Sequence, residues 1–209
     1  MMPEMSGTEM CLQIKNNIDF CHTPIILLTA LSTMEHNIEG LNQGADDYIT
    51  KPFNAQLLLT RANNLIRSRL LIQHQFNKQP ISEIDLTSIN PLDKDLLKRT
   101  SQIIEQHIDD TEFDIPELYK GVGIGRSLLY TKFKALTGMP PNNFILNYRL
   151  KYVATMLQQY PIIPIAKVSD RIGFNSPVYF SQCFKKQIGT TPQNYRRKNQ
   201  EKISEEGLE

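Results

Sequence analysis

Two patterns of apolar positions divide the chain. Over the first 72 residues, short apolar runs alternate with helix-spaced ones. Pro24-Ile25-Ile26-Leu27-Leu28 is a continuous apolar run, the pattern of a strand buried on both faces. Ser32 is placed to cap a helix carrying Met34, Ile38 and Leu41, which Gly44 ends. Asp47-Tyr48-Ile49-Thr50 is a second short strand, and Asn54 opens a long amphipathic helix through Leu57, Leu58, Ala62, Leu65, Ile66 and Leu70. This alternation predicts an α/β unit with a parallel sheet. Residues 73–90, rich in Gln, Asn, Lys, Pro and Ser at the start, have the composition of a linker. Pro91 and Asp93 then open a helix to about Asp109, and from there only helix and turn signals occur.

Within 120–198 the apolar pattern repeats itself. Val122-Gly123 matches Ile172-Gly173 at an offset of 50; Leu129, Phe133, Lys134, Gly138, Pro141 and Phe144 match Phe180, Phe184, Lys185, Gly189, Pro192 and Tyr195 at an offset of 51. Each copy predicts helix, tight glycine turn, helix. In the first, Ile115 to Val122 leads, with Pro116 acceptable in its first turn. Arg126 to about Thr137 follows, with Leu129, Phe133 and Leu136 on one buried face. Arg126, Ser127, Tyr130, Thr131 and Lys134 are left facing out. In the second, Ile165 and Val168 face inward, Ser176 caps the next helix, Pro177 takes its first position, and Phe180, Phe184 and Ile188 line the core. Val178, Ser181, Gln182, Lys185 and Lys186 face out or flank the seam. Between the copies, Asn142 or Asn143 is placed to cap a helix running to about Gln159. Two such second helices joined by one stiff helix suit successive major-groove faces roughly 34 Å apart.

Charge sharpens this picture. Residues 1–119 hold 9 Lys and Arg against 17 Asp and Glu, whereas 120–198 hold 13 against the single acid Asp170, a net of +12. The last 11 residues hold one Lys and four Glu, so the total is only +1. A stretch this basic is the footprint of a polyanion binder. Three scattered cysteines and four scattered histidines follow no metal spacing, and a reduced cytoplasmic protein is expected. No apolar run approaches the roughly 20 residues of a membrane span, and no export leader is evident. No Ser/His/Asp set and no glycine-rich phosphate loop argues for an enzyme.

Residues 91–198 resemble the AraC/XylS family DNA-binding domain. The resemblance rests on Leu128-Leu129-Tyr130-Thr131-Lys132-Phe133-Lys134 with Leu136-Thr137-Gly138, Arg149-Leu150-Lys151, Ile172-Gly173-Phe174, Tyr179-Phe180-Ser181, Phe184-Lys185-Lys186, Gly189-Thr190-Thr191-Pro192 and Tyr195-Arg196. It implies a double helix-turn-helix that binds double-stranded DNA. Ser127, Tyr130 and Thr131, then Pro177, Val178 and Gln182, would face bases; Arg126, Lys132, Lys134, Lys185 and Lys186 would face phosphates. Gly125 stands where a capping Ser is usual, Thr131 where a basic residue is common, and Tyr119 where a small residue is usual.

Residues 1–72 resemble the later part of a response-regulator receiver domain, of flavodoxin-like α/β fold. Met2-Pro3-Glu4-Met5-Ser6-Gly7, Thr29-Ala30, Gly44-Ala45-Asp46-Asp47-Tyr48 and Lys51-Pro52 carry it. The resemblance implies switch residues Thr29, Tyr48 and Lys51 and a cis Lys51-Pro52 bond. It leaves no phosphoaccepting Asp in the chain as given, since Asp19, Asp46 and Asp47 fall elsewhere in the pattern, and Mg2+ would bind only in an intact receiver.

The expected organisation is a partial receiver at 1–72, a linker at 73–90, an all-α DNA-binding domain at 91–198 and a disordered tail or tag remnant at 199–209. The expected protein is a transcription regulator of a two-component phosphorelay, with no cofactor of its own and no membrane contact by this segment. It would associate as a homodimer or larger species through the receiver fragment, whose truncated sheet would leave an unpaired edge, and be served by a cognate histidine kinase. Such pairs of domains occur in free response regulators and in hybrid sensor kinases of gut Bacteroidetes; Ile103-Ile104-Glu105 in the 91–112 helix leans toward the hybrid class. The alternative is a receiver-mediated interaction fragment without DNA-regulatory activity.

Overall fold

A computed structural model describes residues 5–30, 44–80, 83–160, 162–174 and 176–206, with backbone alone at 170 and 202–206. The helix expected around Met34, Ile38 and Leu41 lies outside the described residues. The chain divides into two compact units, residues 1–98 with 131–138, and residues 99–130 with 139–209.

In the first unit, helix α1 (Gly7–Lys15) starts on a capping box: Ser6 Oγ accepts from the Glu9 backbone, and the Glu9 carboxylate accepts from the Ser6 N–H. Strands β1 (Ile26–Thr29) and β2 (Asp47–Thr50) pair in parallel, with Ile26 opposite Asp47 and Thr29 opposite Thr50. The parallel pair agrees with the sequence pattern. Burial does not: β1 is half-covered and Leu28 is 41% exposed, because β2 is its one paired neighbour among the described residues. Lys15 is buried and holds Asp46 at 2.5 Å and the Thr23 carbonyl at 2.9 Å, while Asp46 also accepts from the Ile25 N–H.

Asn54 caps helix α2 (Ala55–Lys78), as expected. The helix continues through the first part of the segment expected to be linker; Phe76, inside that segment, is buried and gives the extra turns an anchor. Helix α3 (Pro91–Gln106) follows, with Leu96, Leu97 and Ile104 fully buried.

In the second unit, helix α4 (Ile115–Val122) is capped by Asp114, which accepts from the Glu117 N–H, and ends at Gly123 in the left-handed region (φ 76°). Helix α5 (Arg126–Thr137) belongs to this unit through Tyr130 and to the first unit from Thr131 on. Helix α6 (Pro141–Gln159) begins after Pro140; neither Asn142 nor Asn143 caps it, and Pro141 supplies the preset φ of a first helical residue instead. Helices α7 (Ile165–Asp170) and α8 (Pro177–Ile188) form the second copy, with Gly173 at φ 68° between them. Leu150, Val153, Leu157, Val168, Ile172, Phe180 and Phe184 form one core, flanked by Ile165 and Ile188. Helix α9 (Pro192–Glu206) continues into the stretch expected to be disordered. Its Tyr195 stacks edge-on against Phe184, and Arg196 donates to the Ile163 carbonyl at 2.8 Å.

Candidate DNA-binding surface

Local chemistry explains how α8 is presented. Ser176 Oγ accepts from the Tyr179 N–H, Pro177 fills the first turn, and Gly189 ends the helix at φ 88°. Phe180 and Phe184 sink into the core one turn apart, which turns the opposite face outward. On that face Val178 is 69% exposed, and Gln182, Lys185 and Lys186 are exposed. Pro177 is exposed at the helix start, and Ser181 is half-buried, its hydroxyl donating back to the Pro177 carbonyl. The Gln182 side chain makes no hydrogen bond among the described residues, so its amide is available for an adenine edge.

The first copy differs. Arg126, Ser127, Thr131 and Lys134 are exposed on α5. Tyr130 is half-buried and committed: its hydroxyl donates to Asn142 Oδ1 at 3.2 Å, and the Arg126 guanidinium stands 5.8 Å from its ring centroid. Lys132, expected to reach a phosphate, is fully buried. Its ammonium donates to Asp93 Oδ1 at 2.7 Å and lies 3.0 Å from Cys21 Sγ. A buried ammonium with a carboxylate partner faces no phosphate, so that assignment is corrected. The signal was in the spacing: Lys132 lies three residues after Leu129 and four before Leu136, on the buried stripe. Burial raises the Cys21 thiol pKa, against the lowering effect of its bond with Lys132.

Three further residues were quoted in the sequence reading as motif positions and given no role there. Tyr179, exposed beside Val178, packs tilted against Phe174 with ring centroids 6.0 Å apart. Arg149 is buried and donates to the carbonyls of His107 at 3.1 Å and Asp110 at 2.6 Å. Lys151, partly buried, has its pKa pushed down to about 8 by that burial.

In the receiver segment, register brings two of the three expected switch positions, Thr29 and Lys51, to one end of the sheet and leaves Tyr48 further back. Thr29 ends β1 opposite Thr50, the Lys51 N–H donates to the Thr29 carbonyl at 2.6 Å, and Tyr48 lies in β2 beside Leu27. Lys51-Pro52 is cis. Asp46 is held by Lys15 and Asp47 by Arg61 at 3.3 Å, so both carboxylates already have structural partners. Among the described residues no three His, Cys, Asp or Glu stand close enough to hold a metal, and no helix is long and apolar enough to cross a membrane.

Comparison with known proteins agrees with both halves. Residues 1–63 match the response regulator receiver domain and residues 118–198 match a helix-turn-helix domain. Fold and family matches therefore agree on a receiver segment followed by a helix-turn-helix domain. Neither matched domain is catalytic. The chain is similar to Histidine kinase P4 of Formosa agariphila, at 38% identity over 203 residues, 97% of this chain and 15% of that protein. It is also similar to Response regulator ArlR of Staphylococcus saprophyticus, at 40% identity over 115 residues, 55% of this chain and 46% of that protein. A solved transcriptional regulator with an AraC-type DNA-binding domain, from Chromobacterium violaceum, has a TM-score of 0.48 at 24% identity, covering 51% of this chain and 93% of that one. The chain spans less than half the length of these curated relatives.

Proposed function

We propose that this chain is the output end of a cytoplasmic two-component phosphorelay protein and regulates transcription by binding a specific duplex site. The observation that carries the reading is α8. A Ser-capped helix after a left-handed glycine turn presents an uncommitted glutamine beside two lysines, on the most basic stretch of the chain. Gln182 and Val178 would read bases; Lys185, Lys186, Lys134 and Arg126 would grip phosphates. The first copy contributes Ser127 and Thr131, while Tyr130 braces the start of α5 through Asn142.

The upstream partner is a histidine kinase or kinase domain, in line with the relative bearing that name. The receiver segment associates with a second copy through α2, whose Leu59, Ile66 and Leu70 are all more than half exposed along one helix. Mg2+ would belong to a receiver's acidic pocket; Asp46 and Asp47, engaged with Lys15 and Arg61, do not form one.

The test is duplex binding as a function of salt. Several phosphate contacts give a log–log slope of several units, and each of Lys185→Ala and Lys186→Ala lowers that slope by about one. A flat salt dependence would leave the interaction-fragment alternative standing.

A further inference from the structure

A cavity of about 700 Å3 opens within the second unit between the start of α4, the first half of α6 and the turn before α8. Its size falls within the roughly 300–1,000 Å3 of small-molecule sites. Phe113, Ile115, Ile145, Leu146 and Phe174 supply apolar wall, and Arg149 supplies charge. Arg149 is 8% exposed and makes no ion pair among the described residues. The two carbonyls of His107 and Asp110 orient its guanidinium through Nη2 without neutralising it. Its Nε is buried with no hydrogen-bond partner. Burial lowers its pKa, against the opposing pull of Asp110 and Asp109. At the rim, the Asp114 carboxylate is occupied by the Glu117 N–H, and Arg126 lies over Tyr130.

A buried cation with an unused donor, set among aromatic and aliphatic walls, is matched by an anion on an apolar body. We propose that this cavity binds a small aromatic carboxylate, its ring against Phe113, Ile145 and Phe174 and its carboxylate accepting from the Arg149 guanidinium. A backbone phosphate of duplex DNA is the less suitable occupant. It is held on a bulky, hydrated polymer and would stop at the exposed Arg126 of the rim, whereas Arg149 is covered and open only to a small anion. Because the walls come from the first copy's leading helix and the second copy's turn, an occupant holds the two copies in one arrangement. On the DNA-reading proposed above, that arrangement sets operator affinity.

The probe is naphthalene-2-carboxylate, titrated into the 209-residue chain by calorimetry with Ile145 methyl resonances followed in parallel. Saturable binding with a local Ile145 shift is expected, with at least tenfold weaker binding of the neutral naphthalene-2-methanol. Arg149→Met should lose at least tenfold. Since that variant removes a buried group, Pro116→Trp serves as the second: Pro116 is an exposed lining residue, and the indole fills the mouth while leaving the core intact. It should also lose at least tenfold with unchanged thermal unfolding. No saturation at millimolar probe, equal binding of the alcohol, or full affinity in Pro116→Trp overturns the proposal. Displacement of the probe by non-operator duplex also overturns it, assigning the cavity to DNA phosphate. Probe binding by a chain that binds no DNA would sink the DNA-reading and leave the cavity assignment intact.

Discussion

The two helix-turn-helix copies start from one pattern and end with different divisions of labour. At the offset of 51, Lys134 corresponds to Lys185, Phe133 to Phe184 and Thr131 to Gln182, and these pairs behave alike: lysines out, phenylalanines in, polar middle positions exposed. Lys132 corresponds to Cys183. The first is a buried cation tied to Asp93; the second is a half-buried thiol packed on an apolar core. The glycines of the turns diverge as well. A Cβ on Gly123 would meet nothing, whereas one on Gly173 would lie 2.8 Å from the Asp110 carbonyl and 3.1 Å from the Arg149 guanidinium. The repeat thus specifies where helices begin and turn, and the neighbours of each copy decide which side chains remain to meet a ligand.

The strongest way to break this comparison is Lys132→Met. It strands Asp93 in a dry site, and removal of one partner of a buried pair costs about 3–5 kcal/mol. Urea unfolding should show that loss, and Asp93→Leu combined with Lys132→Met should recover most of it. Lost DNA affinity at unchanged stability would instead return Lys132 to the DNA surface. Next come the turns. Gly123→Ala incurs only the left-handed penalty of about 1–2 kcal/mol, and Gly173→Ala should exceed it by about 1–3 kcal/mol through overpacking. Equal losses in thermal unfolding would mean that the second turn has room to relax.

Smaller effects concern recognition. Gln182→Ala should cost about 1–3 kcal/mol at a single base position and relax preference there; equal losses on operator and random duplex would assign Gln182 to the backbone. Lys134→Ala and Lys185→Ala, at matching positions, should weaken all duplexes alike and each lower the salt slope by about one. Unequal slopes would show that one copy dominates the electrostatics.

A separate, pH-dependent effect lies in the helix joining the copies. With Lys151 depressed to about 8, the unfolded chain holds one more proton than the folded chain between about pH 8 and its ordinary value of 10.5. Stability from this group therefore rises with pH across that window and falls as pH drops toward 8. Lys151→Met should flatten that part of the profile of chemical-denaturation stability. An unchanged profile would show that Lys151 is solvated.

Much of the helix-turn-helix stretch was legible because its signals are local. Ser176-Pro177, the glycines at 123 and 173 and the 129/133/136 spacing each determine structure within a few residues. What was missed depends on partners distant in sequence. Lys132 needs Asp93, and Arg149 needs the carbonyls of His107 and Asp110; a count of basic residues gives all of them the same weight. The net of +12 over 120–198 therefore overstates the charge on offer. The extra length of α2 rests on Phe76, one aromatic in a polar stretch, and β1 proved only half-covered. The capping box at Ser6 and Glu9 was a local signal and could have been found.

The Lys132–Asp93 pair also determines where this protein can be cut. A fragment trimmed to the matched helix-turn-helix stretch, 118–198, would retain Lys132 and Arg149 while discarding the carboxylate of one and both carbonyl acceptors of the other. The smallest excisable piece that keeps its electrostatic accounts closed begins upstream of Asp93. Any chimera that grafts these reading helices onto another sensor should therefore be joined before Pro91, in the turns that precede α3.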